Sequence, residues 1–180
     1  QNGLSMALTL IKEDGTGKTD GNAYADVADG DAYFEGHLYA SAWTAATTVQ
    51  KTAALVMATR VIDTEYQFNG VRSVDGQALQ WPRENCPDPD GAAAAVLANS
   101  KVPKVVIDAT CEMARELLIV DRTAAPPGEG IHERQEVDLS RTIYSKSDKR
   151  PVIARLVQAM LAKYGDLMKG GSGTVRLVRA

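Results

Sequence analysis

A chain of 180 residues fits a single domain, and an apolar fraction of 44% with 24% charged residues gives it a core and an ordinary charged surface. Only 6% of its residues are aromatic, so alanine, valine and leucine must do most of the packing, which suits close-packed helices better than a large β-sandwich. A formal charge of -3 and a pI near 5.4 weigh against a protein whose main task is a tight, nonspecific grip on nucleic acid.

Along the chain, Ala7–Ile11 is a short apolar run that predicts one strand, followed by a loop rich in glycine and aspartate up to Asn22. Met6 opens a natural-looking start, MALTLIKEDG, and whether Gln1–Ser5 is native is left open. Asp26 with Asp29 three residues on predicts a capped first helix, with Val27, Phe34 and Leu38 on one face and Gly30 and Gly36 as weak points. Thr47 and Gln50 form a second capping box. Behind it Leu55, Ala58, Ile62 and Tyr66 recur at helical spacing, while Val49, Ala53, Val56 and Met57 supply a second apolar face. A helix apolar on two sides is central or interfacial. Asn69-Gly70 is expected to end it.

Residues 84–101 read as a connection rich in proline, aspartate and alanine, with a short helical turn expected within Ala92–Ala98. Pro103 is expected to open a third helix, whose apolar stripe is Val102, Val106, Ala109, Met113, Leu117 and Val120, with Asp108, Glu112 and Arg115 off the stripe. Ala124–Gly130 breaks the chain. In Glu133–Tyr144 the period changes, as Val137, Leu139 and Ile143 alternate with polar residues, which predicts a half-buried strand. Pro151 is expected to open a fourth helix with Ile153, Leu156, Met160 and Tyr164 on one face. Gly170-Gly171-Ser172-Gly173 is a flexible joint before a basic, β-prone tail, Thr174–Ala180.

The expected fold is therefore mainly α: a four-helix core with a few short strands and an extended C-terminal tail. One helical domain would span 1–169, with an extended strand at 133–144, and residues 170–180 would form the joint and a docking tail. No run of about twenty apolar residues occurs, so no membrane span is expected, and no basic flank leads to an apolar signal core at the amino terminus.

The motifs exclude more than they assign. Gly15-Thr16-Gly17-Lys18-Thr19 resembles part of a P-loop, but the required earlier glycine is Lys12 and a second turn, Asp20-Gly21-Asn22, stands where a helix should start. A calcium loop starting at Asp26 would need glycine and glutamate where Asp31 and His37 stand. His37 and His132 are the only histidines and are far apart; Cys86 and Cys111 form neither a disulfide framework nor a CxxC. There is no G-x-S-x-G, and Asp88 and Asp90 sit in a proline-rich loop. We expect no enzyme, no cofactor and no metal. Trp81 beside Arg83 is the one close aromatic–basic pair of the kind that single-strand binders use, and a packed indole at a stiff corner is the favoured reading of it.

Tyr24-Ala25-Asp26-Val27, Trp43, the helix capped at Thr47 with Ala54-Leu55 and Ala58-Thr59-Arg60, the block Gly70, Leu79, Trp81, Pro82 and Arg83, and Pro103 with Ala109, Glu112 and Ala114 stand out together. In that order they resemble the head–tail connector (adaptor, or head-completion) proteins of tailed bacteriophages. The resemblance covers roughly residues 7 to 165, and Leu79-Gln80-Trp81-Pro82-Arg83 is its most specific piece. It implies a structural virion protein at the neck, assembled in the host cytoplasm, forming a homo-oligomeric, twelve-fold ring beneath the portal protein. The ring would continue the channel for double-stranded DNA without sequence-specific binding and would carry a stopper or tail-completion protein. In that setting Val137, Leu139 and Ile143, with Val175, Arg176, Leu177 and Arg179 of the tail, are the expected assembly contacts, because an unpaired strand invites strand addition. The same residues also resemble DnaT-like single-stranded-DNA-binding proteins, which implies a replication role instead. An acidic chain poor in aromatics favours the connector over that grip on single strands.

Overall fold

The computed structural model describes residues 8–125, 135–137, 140–142 and 150–168. The expected first strand is absent: residues 8–11 lie outside any ladder, and only Lys12 bridges to Ala23. The reason is local. Asn22 folds back on this segment, its side chain accepting from the Ile11 N–H at 2.8 Å and donating to the Thr9 carbonyl at 2.9 Å, so loop groups satisfy the backbone that a sheet would otherwise pair.

Helix α1 (Val27–Phe34) has the expected capping box, in which Asp26 and Asp29 exchange side-chain-to-backbone hydrogen bonds. It stops before Leu38, which is 92% exposed rather than part of the buried face. Gly30 is a contact and not a weak point: a Cβ there would sit 2.3 Å from the Trp43 ring, so only glycine lets the helix approach the indole. A single-turn helix, α2 (Ser41–Thr44), was not expected; it seats that buried indole.

Helix α3 (Thr48–Glu65) starts at the Thr47–Gln50 capping box as expected. It ends at Glu65, four residues before Asn69, because the chain switches into a strand, β1 (Tyr66–Phe68). Gly70, with φ +76, then turns the chain into β2 (Val71–Arg72), which pairs antiparallel with β3 (Arg83–Glu84). Residues 92–98 form no helical turn. Ala94 has φ 65, and the Asp88 and Leu97 amides donate to the Ala95 and Cys86 carbonyls, closing a small loop around the Pro87–Val96 bridge.

Pro103 caps α4 (Lys104–Ile119). Val106, Ala109 and Met113 are buried as the stripe requires, while Val120 is 39% exposed beyond the helix end. Glu112 corrects the pattern: expected off the stripe, it is 1% exposed. The single strand expected at 133–144 is instead a hairpin, β4 (Gln135–Val137) against β5 (Ser140–Thr142), with Val137 paired to Ser140; Leu139 and Ile143 lie outside the described residues. Helix α5 (Arg155–Leu161) begins after Ala154 rather than at Pro151. Its buried face is Val157 and Leu161, continued by Ile153, so Leu156 is left half-exposed instead of joining the core. Strand β6 (Gly165–Leu167) returns to pair antiparallel with β1.

The protein is thus mainly α with three two-stranded antiparallel pairs among the described residues. α3 and α4 make the most extensive packing, and α1, α2 and α5 each lean on α4. Leu55, Ile62, Val106, Met113 and Leu161 are fully buried at this centre, each contributing roughly 1.5–3 kcal/mol. No helix of the described residues is long and apolar enough to cross a membrane.

Candidate functional site

The block Gly70, Leu79, Trp81, Pro82 and Arg83 folds into one corner, buried except at Gly70. Arg83 is its hub, 3% exposed. Its Nε donates to the Asn69 carbonyl at 2.7 Å, Nη1 to the Gln80 carbonyl and side-chain oxygen at 3.1 and 2.9 Å, and Nη2 to the Phe68 and Gly70 carbonyls at 3.1 and 2.6 Å. One side chain thereby joins the β1–β2 turn to the 79–83 segment. Gly70 belongs to the same closure, because a Cβ there would lie 2.2 Å from the Glu84 carbonyl oxygen. Trp81, fully buried and followed by a cis bond to Pro82, packs edge-on against Phe68 with ring centroids 5.5 Å apart. Its indole N–H is buried without a partner, so the residue serves as packing volume.

Behind the corner lies a polar knot that sequence reasoning missed. Tyr24, also fully buried, donates its hydroxyl to Asp63 Oδ1 at 2.5 Å and accepts from the Gln80 and Trp81 amides at 3.0 and 3.2 Å. Asp63 Oδ2 accepts from the Gln80 amide at 3.0 Å. Burial pushes the Asp63 carboxyl up to about 6, although Tyr24, the Gln80 amide, Arg72 and Arg83 all pull it down. Burial and the Asp63 charge hold the Tyr24 hydroxyl well above its ordinary value, so it remains a donor. The one signal in the sequence was Tyr24 within the Tyr24–Val27 match; nothing local pairs Tyr24 with Asp63.

None of this corner can stack a base. Trp43 is as buried as Trp81, with Nε1 donating to Asp31 at 2.8 Å and Lys51 5.0 Å above its ring. Among the described residues, Tyr39 at 75% is the one strongly exposed aromatic. The 15–19 loop offers no phosphate cradle either. The buried Glu13 carboxylate already accepts from the Gly15, Gly17 and Lys18 amides at 2.8, 2.9 and 2.7 Å, taking up donors that a P-loop would present to its ligand.

Both thiols are buried; burial raises Cys86 and pushes Cys111 up to about 12, so neither is poised as a thiolate nucleophile. No group of side chains that could hold a metal ion occurs among the described residues. His37 Nε2 lies 3.7 Å from Oε2 of the buried Glu112.

A concavity of about 340 Å³ opens on this corner, lined by Arg60, Asp63, Arg72 and Gln80 among others, and two more lie away from it; sequence reasoning found none of them. Between the second half of α4 and the start of α5 is a cleft of about 500 Å³, lined by Glu112, Arg115, Glu116, Arg122, Arg150 and Arg155, among others. Arg115 Nη2 donates to Glu112 and Glu116, both at 2.7 Å, and Arg122 is tied to Glu116 at 3.0 Å and to the Pro151 and Val152 carbonyls at 2.9 Å. These arginines are up to forty positions apart in sequence, so no local pattern announces them. On another side, the second apolar face of α3 (Ala53, Met57) meets Leu117 and Leu118 of α4 in a shallow groove of about 380 Å³. Of the residues expected to make assembly contacts, Val137 is placed in β4; Leu139, Ile143, Val175, Arg176, Leu177 and Arg179 lie outside the described residues.

The model of a family described as "Putative DnaT-like ssDNA binding protein" matches residues 8–180. No curated protein and no solved structure matches the chain.

Proposed function

The chain belongs to the family described as putative DnaT-like ssDNA binding proteins, and from that premise we propose that it binds single-stranded DNA. The match over residues 8–180 carries this reading and favours the second of the two resemblances over the first. The burial of Trp43 and Trp81 limits how such binding can work: the bases find no indole platform, and with Tyr39 the one strongly exposed ring among the described residues, the contact runs mainly to the sugar-phosphate backbone. A net charge of -3 then requires a local concentration of cations, because the chain as a whole repels a polyanion.

Titrating labelled single strands of different base composition at several salt concentrations tests this. The expected result is an affinity that falls linearly with salt on logarithmic axes and varies little with sequence, with tryptophan emission almost unchanged. Absence of binding at low salt would sink the reading, and strong tryptophan quenching would sink its backbone-directed form.

A second reading, the head–tail connector, is favoured by one feature, the apolar surface left open. Val49 is 76% exposed on the second face of α3, whose Ala53 and Met57 meet Leu117 and Leu118 at the groove, and Leu38 stands free between α1 and α2. Apolar surface of this kind suits a neighbouring subunit. On this reading copies of the chain form a ring on the portal in the virion neck, pass double-stranded DNA and receive a stopper or tail-completion protein, with Thr174–Ala180 docking on the portal or an adjacent subunit. Electron microscopy of the protein alone and with portal-bearing, tailless capsids is expected to reveal rings or decorated portals. A monomer that ignores the portal contradicts it.

A further inference from the structure

We infer that the arginine cleft between α4 and α5 is where the protein holds a phosphodiester of single-stranded DNA; the inference rests on the single-strand reading and assigns its site. Among the described residues, four guanidinium groups against two carboxylates make the lining of this cleft net positive in a chain whose net charge is negative. Nowhere else among the concavities described is cationic lining so dense.

The four arginines do different work. Arg115 and Arg122 are held rigidly: the first between Glu112 and Glu116, the second by Glu116 and by two carbonyls of the 151–152 segment. They make a braced positive wall whose orientation is set before any ligand arrives. Among the described residues Arg150 is bonded through one nitrogen, Nη2, to the Asp121 carbonyl at 2.8 Å, and a guanidinium has further donors to offer. Arg155 opens α5 and its side chain is exposed at the mouth. A planar guanidinium matches two phosphate oxygens at once, so Arg150 and Arg155 are the groups that would grip a backbone phosphate.

The size and lining agree with that ligand. About 500 Å³ accommodates a phosphate with its flanking sugars. Among the described residues no aromatic side chain lines the cleft to stack a base, in keeping with recognition of the backbone.

The test uses the full chain, a fluorescein-labelled thymidine homopolymer and anisotropy at several salt concentrations. Arg155 is exposed, so Arg155→Glu is expected to leave the fold intact by circular dichroism; the milder double variant Arg150→Ala, Arg155→Ala guards against a repulsive artefact. Both are expected to weaken binding on the order of tenfold and to flatten the salt dependence by about 0.7 in slope for each phosphate left without its arginine. Lys104→Glu, the same charge change at the far end of α4, is expected to have a much smaller effect. Equal losses from Arg155→Glu and Lys104→Glu, or unchanged binding in both cleft variants, overturn the cleft while the single-strand reading stands. Failure of the unmodified protein to bind overturns both. Competition by duplex as strong as by single strand overturns the assignment to single-stranded DNA.

Discussion

Arg83→Lys is expected to destabilise the protein by about 3 kcal/mol or more, although it keeps the charge. The guanidinium makes five hydrogen bonds from a planar fork to acceptors contributed by Phe68, Asn69, Gly70 and Gln80. An ammonium has three donors at a single point and cannot reach acceptors disposed around a fork. At least two of the five acceptors would lose their partner, costing up to roughly 1–3 kcal/mol each, and the compact charge would sit less well solvated in the same buried place. Burial already pulls the Arg83 guanidinium below its ordinary value, so the site tolerates a cation only because the carbonyls stand in for water. Urea denaturation of the two proteins measures the difference. A loss below about 1 kcal/mol would mean that water or a shifted loop replaces the fork easily, and the role of Arg83 as a clamp would fall.

This corner shows what could be read from the chain and what could not. Leu79-Gln80-Trp81-Pro82-Arg83 stands out as a motif by its residue types, yet its work depends on carbonyls of the β1–β2 turn, and no spacing rule reports a side chain that bonds to backbone. The starts of α1, α3 and α4 were legible because a capping box or a proline acts within one turn. The end of α3 was not. Tyr66 keeps helical spacing with Ile62, and what pulls it into β1 is the pairing of Tyr66 with Leu167, about a hundred residues away. Glu112 escaped for a similar reason: a glutamate off the apolar stripe is ordinarily solvated, and here Arg115 and His37 close over it.

The candidate site was hidden more thoroughly than the fold. Net charge averages over the surface, so the acidic total concealed a cleft in which α4 and the chain from Arg150 to Arg155 bring cations together. The aromatic–basic pair Trp81–Arg83 is interior, as the favoured reading of a packed indole expected, and among the described residues Tyr39 is the one strongly exposed ring. On either proposed reading, charge is then the main contact this surface offers to DNA. That holds both for a single strand gripped by its phosphates and for a duplex sliding through a ring, and it makes salt dependence and strand preference, rather than sequence preference, the observables that separate the two readings.

The second large effect is expected from pH. The Asp63 carboxyl titrates at about 6 in the folded protein against 3.8 for its ordinary value, because burial against Tyr24 and the 79–81 segment disfavours the charged form. Between these two values the folded state retains a proton that the unfolded chain has released. Stability must therefore fall as pH rises from about 4 to about 6, and about two pH units of separation correspond to about 3 kcal/mol. Asp31 works in the opposite sense. Lys51, and then the Trp43 indole N–H, hold it below its ordinary value, so its contribution is lost only as pH drops below about 4. Asp63→Asn isolates the first effect: the asparagine does not titrate, while Asp31 and the remaining carboxylates are common to both proteins. Subtracting the variant's unfolding free energy from that of the unmodified protein should give a curve that declines by about 3 kcal/mol between pH 4 and 6 and is level above pH 7, whatever constant offset the altered hydrogen bonds to Tyr24 and Gln80 introduce. A level curve across that window would mean that the pulls of Tyr24, the Gln80 amide and the two arginines cancel the effect of burial, and the claim that burial sets the proton affinity of Asp63 would fall.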